Sequence, residues 1–398
     1  MDKKTNFENR FKPPVDVTKH RHRIFDLSKI KSTLFRKPPK KRLMIVAGSS
    51  IGLLTLGIAG LAVFGPKPTE PNPIANINST YTPPVPTTVA SPLTGVQVSL
   101  DLAKRPVTGV MIENSIDARP QSGLLDAGVV FEAIAEGGIT RFLALFQEAQ
   151  PDYIGPIRSA RPYYVRWAAG FDAAYTHSGG SGEALSLIQS LGIKDMDHGN
   201  YGNAYFERVS NRYAPHDVYT SMARLDELRA SKGYTTSSFT PFARITETSD
   251  TETKKDPVDT ATETTPTDPA ATSISFAISG LLYNTKYSYN LESKSYDRVM
   301  ANQPHNDERS GKQISPKVVV ALFMNYGIHP DGVHSVYGNV GTGKALIFQN
   351  GIVLEGVWEK TSDTSSLTLK DKAGKDIPLA VGQAWFTAIT EGDVSYEP

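Results

Sequence analysis

The chain reads as an α/β domain, built on a mixed sheet with helices, followed by a smaller β-rich antiparallel domain, with one N-terminal transmembrane helix ahead of both. Three observations predict this. Residues 43–64 are uncharged and mostly apolar. Between 91 and 242, short β-branched runs alternate with helix-length stretches. From residue 273 the apolar pattern changes to period two.

The segment LMIVAGSSIGLLTLGIAGLAVF follows Lys40, Lys41 and Arg42 and ends at Gly65-Pro66. As a helix it would reach roughly 33 Å, about the hydrocarbon thickness of a bilayer. Basic residues crowd its N-terminal side, so residues 1–42 are expected in the cytoplasm as a basic tail and the rest outside the cell membrane as a single-pass protein. A cleaved signal peptide fits less well, because secretory apolar cores are shorter and lie closer to the N-terminus. Gly48 and Gly52 have a spacing that lets membrane helices approach, although glycine is common in such helices.

Charge is divided along the chain. The first 42 residues carry fourteen Lys/Arg against four Asp/Glu, a net of +10, so with a whole-chain charge of +1 the remainder carries −9. An acidic outer part argues against nucleic acid as partner, while the tail faces a leaflet whose anionic lipids attract basic segments. Within the tail, Ile24, Leu27, Ile30 and Leu34 recur at helical spacing. Either a short amphipathic helix on the inner leaflet or a disordered basic tail fits that pattern. The chain has no cysteine, which excludes disulfides, thiolate metal sites and a lipidated cysteine. Proline recurs through residues 65–90, so this stretch reads as an extended stalk reaching on the order of 80 Å.

In the first domain, residues 107–112, 128–134 and 141–146 read as strands, the last two joined through Glu136-Gly137-Gly138-Ile139. With Gly137 and Gly138 as the turn, Ile134 is expected opposite Arg141, which puts Arg141, Glu132 and Glu136 on one sheet face. Such a ladder is either a solvated salt bridge or the floor of a polar site. Pro162 is expected to open a helix, leaving Arg158 and Arg161 just ahead of its positive end. Two guanidinium groups there call for an anion, supplied by a carboxylate of the protein or by the phosphate or carboxylate of a ligand.

A strand over 173–177, the loop Gly179-Gly180-Ser181 and a helix over 182–189 follow, giving a second helix start suited to an anion. His177 and Ser178 are adjacent on a strand and point to opposite faces, so His177 reads as a hydrogen-bonded structural residue. Asp217, beside His216, reads as a turn or capping residue. A further helix is expected over 221–232, stopped by Gly233.

These residues carry a resemblance. RPVTGVMIEN (105–114), ARPQSGL (118–124), EGGITRFLALF (136–146), IGPIRSARPYYV (154–165), THSGGS (176–181) and APHDVYTS (214–221), in that order, resemble the YerB-like family of bacterial envelope lipoproteins. The resemblance implies an α/β first domain, a smaller β-rich C-terminal domain and no established activity, so no catalytic residue carries over. Family members are tethered through an acylated cysteine; this chain has none, which leaves the apolar helix as its tether.

Residues 243–272 are rich in Thr, Asp, Glu and Pro and read as an enlarged flexible linker between the domain at 91–242 and that at 273–398. Strands are expected at 274–278, 287–291, 318–323, 345–348, 352–358, 367–369 and 385–389, with turns at 349–351 and 372–375. GNVGTGKA (338–345) nearly matches a phosphate-binding loop, yet Ala345 replaces the metal-binding hydroxyl and a strand follows, so a hairpin explains it better. Histidine spacing offers no metal site, and no cofactor is expected.

Two functions fit. One is a binding module for an anionic envelope polymer, a lipid headgroup or an envelope protein, with Glu113, Glu136, Arg141, Arg158, Arg161, His177, Ser178, Gly179, Gly180 and Ser181 as candidate contacts. The other is an enzyme of wall or surface glycans using Glu113, Glu132 or Glu136 for proton transfer. Oligomeric state is left open.

Overall fold

The structure is a computed structural model that describes residues 87–245 and 270–398. The expected tail, the apolar span, most of the stalk and most of the linker lie outside the described residues; the end of the expected stalk, Thr88–Ala90, is a short strand paired with Gln97–Ser99. No helix among the described residues is long and apolar enough to cross a membrane.

The first family of elements comprises β1 (Thr108–Glu113), β2 (Val129–Glu136), β3 (Ile139–Phe146), α1 (Pro162–Ala169), β4 (Ala174–His177), α2 (Gly182–Ser190), β5 (Lys194–Asp197) and α3 (Met222–Ser231). The second comprises β6 (Ser273–Phe276), β7 (Thr285–Asn290), β8 (Ser295–Met300), β9 (Val318–Phe323), β10 (Gly341–Gln349), β11 (Ile352–Lys360), β12 (Thr368–Lys370), β13 (Ala384–Ile389) and β14 (Val394–Glu397).

Both families contribute to one ten-stranded sheet in the order β12-β11-β10-β9-β13-β2-β3-β1-β4-β5. The seam is the parallel pair β13–β2, where Trp385 lies beside Val130 and Phe386 beside Phe131. Parallel pairing also joins β9 to β13, β1 to β4 and β4 to β5, so the sheet is mixed. A second sheet runs β8-β7-β6-β14 with the short Gln303–Pro304 strand at its edge, and all its pairings are antiparallel.

Alternation along the strands divides the interior. Val318, Val320 and Leu322 of β9 and Phe131 of β2 face one side, where Tyr163, Tyr164 and Trp167 of α1 and Ala184 and Ile188 of α2 cover them. On the other side α3 lays Met222, Leu225 and Leu228 over β1–β3, while Ile274, Phe276 and Tyr287 of the second sheet cover Val319, Ala321 and Phe348. Phe131 stacks between Trp167 and Phe386 at 4.9 Å from each, tying α1 to the seam.

Local signals produce the expected boundaries. Pro162 occupies the first turn of α1 behind Arg161 in an extended conformation. The Ser181 hydroxyl caps α2 by accepting from the Ala184 amide at 3.3 Å, and Ser221 caps α3 by accepting from Arg224 at 3.3 Å. Gly137 and Gly138 both take positive φ in the β2–β3 turn, as do Asn350 and Gly351 between β10 and β11, the backbone that two-residue hairpins require. Residues 341–345 lie within β10, so the near-match to a phosphate-binding loop is strand.

One expected register is corrected. A β-bulge between Ile134 and Glu136 inserts Ala135, so Arg141 stands opposite Ala133 rather than Ile134. The extra residue turns Glu136 to the α1 side with Arg141, while Glu132 stays on the opposite face. The expected single ladder is divided between the two faces, with Glu136 pairing with Arg141 and Arg161 on one and Glu132 with Arg298 on the other.

Candidate functional site

Every candidate contact from the sequence lies along one edge of the large sheet. Glu113, Glu136, His177 and Asp197 stand at the carboxyl ends of β1, β2, β4 and β5, and Arg141 stands near the start of antiparallel β3, which begins at the same edge. In α/β sheets, crevices for ligands lie outside such carboxyl ends, where neighbouring strands part. Here β1 and β4 pair only from Thr108 to Val110. Beyond that the fork is filled by the segment carrying both loop arginines. Arg158 donates its amide to Met111 O (3.0 Å) and accepts from Ser178 N (3.0 Å), and Ala160 N donates to Gly179 O (2.9 Å).

Arg141 and Arg161 share Glu136. Arg141 Nη2 lies 2.5 Å from Oε1, and Arg161 Nη2 bonds Oε2. Each guanidinium also donates to a backbone carbonyl, Ser159 O at 2.8 Å and Ala160 O at 2.7 Å. Arg141 is 2% exposed and the Glu136 side chain 24%. Burial would raise the Glu136 carboxyl, but the charges of Arg141 and Arg161 outweigh it and hold the group below the usual glutamate range. Two guanidinium charges against one carboxylate leave a local excess of positive charge, and the Nε atoms of both arginines are buried without a partner.

Glu113 is the second hub and is 3% exposed. His216 Nδ1 lies 2.9 Å from its Oε2, and Ser115 Oγ donates to Oε1 at 3.1 Å. Arg158 approaches Oε1 through Nε at 3.3 Å, an ion pair whose geometry falls short of a hydrogen bond. The Arg158 side chain is 25% exposed, and among the described residues its Nη1 and Nη2 have no hydrogen-bond acceptor. Ser115 and Glu113 both approach the same ring nitrogen of His216, so the three do not form a nucleophile-base-carboxylate relay, which needs them on opposite nitrogens.

The glycine loop has its own counter-ion. Asp197 Oδ1 accepts from Gly179 N at 2.8 Å, and Gly180 bridges to Ala160. His177 is wholly buried, with Nδ1 2.8 Å from Gly179 O and Nε2 2.9 Å from Asp195 Oδ1, so both nitrogens serve the scaffold. Ser178 Oγ pairs with His198 Nδ1 at 3.1 Å, and burial pushes His198 below the ordinary histidine value.

Between the starts of α1 and α2 lies a cleft of about 300 Å³ lined by Arg161, Pro162, Ser181, Gly182 and Glu183. Its far wall is the Tyr326–Ile328/Ser335–Tyr337 hairpin of the second family, which contributes His329, Asp331 and His334. Asp331 Oδ2 lies 2.6 Å from His334 Nδ1 and 3.1 Å from His329 Nδ1. Its hydrogen bonds to His334 hold that carboxyl well below the usual range. No group of three or more His, Cys, Asp or Glu residues among the described residues is arranged to hold a metal ion.

Glu132 takes no part in this edge. It is wholly buried on the opposite face against Arg298 (2.8 Å) and Trp385 Nε1 (3.1 Å). The bulge thus separates the two carboxylates that sequence alone put together. Sequence reasoning missed His216, Asp197 and the His329–His334 hairpin as neighbours of the site. His216 meets Glu113 across 103 positions, which no local spacing encodes.

Residues 93–235 match the family model described as "Protein of unknown function (DUF3048) N-terminal domain", and residues 274–386 match the corresponding C-terminal domain. Between them they span well over half of the chain. The chain is 29% identical over 307 residues to "Putative lipoprotein YerB" of Bacillus subtilis, covering 77% of this chain and 87% of that protein. The crystal structure of the YerB protein from Bacillus subtilis matches with a TM-score of 0.67 at 27% identity, covering 78% of this chain and 100% of that one.

Proposed function

The chain belongs to the YerB-like family defined by the DUF3048 N-terminal and C-terminal domains, and from that premise we propose that it is a membrane-anchored envelope protein that binds an anionic ligand at the carboxyl edge of its large sheet. The relative's description as a lipoprotein supports the envelope address, and residues 43–64 supply the anchor that a cysteine-free chain needs.

One observation carries the binding reading. Arg158 is held at the fork of β1 and β4 by backbone hydrogen bonds on both sides, yet the two terminal nitrogens of its guanidinium have no acceptor among the described residues. A fork so placed matches a phosphate or carboxylate through two parallel hydrogen bonds. Arg161 and the Gly179–Ser181 loop lie next along the edge and add positive potential. Their protein counter-ions, Glu136 and Asp197, are only partly exposed, so a ligand anion there competes with a preformed partner, whereas at Arg158 it need only add to Glu113.

The test uses inorganic phosphate as probe and arginine side-chain resonances as readout. Phosphate is expected to shift the Arg158 signals more than those of Arg141, and Arg158→Gln is expected to remove the response. Equal, unspecific shifts at exposed arginines such as Arg208 and Arg224 would reject the site.

A further inference from the structure

We propose that His216, held by Glu113, is the general base of a site that hydrolyses a phosphodiester seated on Arg158. This rests on the reading of Arg158 as an anion-binding residue and adds a reaction to it.

The geometry has three parts. First, the Glu113 carboxylate is acceptor-only when ionised, so His216 Nδ1 at 2.9 Å carries the proton and donates it; Ser115 Oγ, which donates to the other carboxylate oxygen, steadies the same group. In the neutral imidazole, that hydrogen bond places the lone pair on Nε2. Second, Nε2 has no protein partner among the described residues, and the ring borders an open hollow of about 220 Å³ lined with Asp117, Asn211, Arg212 and Tyr213. Tyr213 presents its ring 67% exposed, edge-on to His216 at 5.6 Å, a surface on which the organic part of a ligand can lie. Third, Arg158 Nε lies 3.3 Å from one oxygen of the Glu113 carboxylate and His216 Nδ1 2.9 Å from the other, so a single carboxylate ties the two residues together.

A carboxylate that orients a histidine whose other nitrogen is free is the arrangement general-base chemistry requires. A phosphodiester fits it because its two non-bridging oxygens match the fork of Arg158. In the step, His216 Nε2 takes a proton from water as the water oxygen bonds to phosphorus. The phosphorus–oxygen bond to the leaving alcohol breaks, and the proton on Nε2 passes to that alcohol oxygen. The products are a phosphomonoester and an alcohol, and water is the sole co-reactant. Glu113 acts as a positioning residue.

The test uses the purified full chain in detergent, with bis(p-nitrophenyl) phosphate as the diester and p-nitrophenyl acetate as a carboxylic ester. The wild type is expected to release p-nitrophenol from the diester. His216→Ala, matched to the wild type in thermal unfolding, is expected to lose at least about 100-fold in kcat, with part restored by added imidazole, which replaces a missing base but not a missing packing contact. Arg158→Gln is expected to raise KM, and Glu113→Gln to lower kcat without abolishing imidazole rescue in the double variant with His216→Ala. Absence of release by the wild type, release from the acetate alone, or an undiminished His216→Ala would overturn the proposal. If the wild type hydrolyses nothing while Arg158→Gln still removes the phosphate response, binding stands and hydrolysis falls. If Arg158→Gln leaves both phosphate response and KM unchanged, both fall.

Discussion

Arg298 on β8 and Glu132 on β2 meet with both side chains fully buried, Nη2 2.8 Å from Oε2, and this ion pair joins the two matched domains. It is surrounded by partners. Arg298 lies over the Trp385 ring at 4.2 Å and donates through Nε to His305 Nδ1 at 3.0 Å; Thr140 Oγ1 donates to Glu132 Oε1 at 3.1 Å. Burial keeps His305 well below the ordinary histidine value, hence neutral, which matches its Nδ1 accepting from Arg298 and its Nε2 donating to Gln121.

Removing one member of that pair should be severe. Glu132→Ala leaves a guanidinium uncompensated in the interior, for which the expected loss is about 3–5 kcal/mol. Denaturant unfolding followed by tryptophan fluorescence checks it. Because Trp385 sits on the seam and Trp167 over the first-family strands, both should report one transition, and two separated transitions would show that the shared sheet does not couple the two families.

Acid should act through Glu136. Its carboxyl titrates below its ordinary value of 4.5 in the folded state, so between the two values the unfolded chain binds more protons. The stability it contributes is complete above that ordinary value and is lost as pH falls through the folded one. Glu136→Gln is expected to flatten this limb of a stability-versus-pH profile, leaving the neutral region lower. An unchanged acid limb would show that Arg141 and Arg161 do not depend on this carboxylate.

Lys360 predicts the opposite limb. Burial lowers it from 10.5 to about 8, while Nζ donates to Asp363 O at 3.0 Å and to Ser365 O. Between those values the unfolded chain again holds more protons, so stability rises as pH climbs from about 8 towards 10.5. Lys360→Met should remove that rise, measured by urea midpoints across the range.

The membrane orientation has its own check. Protease added to intact cells should spare residues 1–42 and reach the stalk at 65–90. Digestion of the first forty residues with the folded part spared would reverse the topology.

What could be read beforehand followed from local chemistry. Gly137-Gly138 forecast a hairpin because few other pairs tolerate positive φ at both positions, and Pro162 and Ser181 forecast helix starts for equally local reasons. The bulge at Ala135 was hidden because an extra residue in V-V-F-E-A-I-A-E does not disturb its apolar content, yet it moves Glu136 to the other face. The need for anions beside Arg158, Arg161 and Gly179 was legible, but their identity was not. Glu113, Glu136 and Asp197 reach those groups across 45, 25 and 18 positions. The seam was invisible for the same reason, since β2 and β13 lie some 250 residues apart and nothing in either strand names its neighbour.

The proposed role of Arg158 is to hold an anion of the envelope. Retention of the purified full chain on isolated envelope material, compared with Arg158→Gln over a range of salt concentrations, tests it most directly. Strong retention of the wild type that weakens as salt rises is expected, with little retention of the variant at any salt although it unfolds at the same temperature. Equal retention of the two proteins at every salt concentration would contradict it.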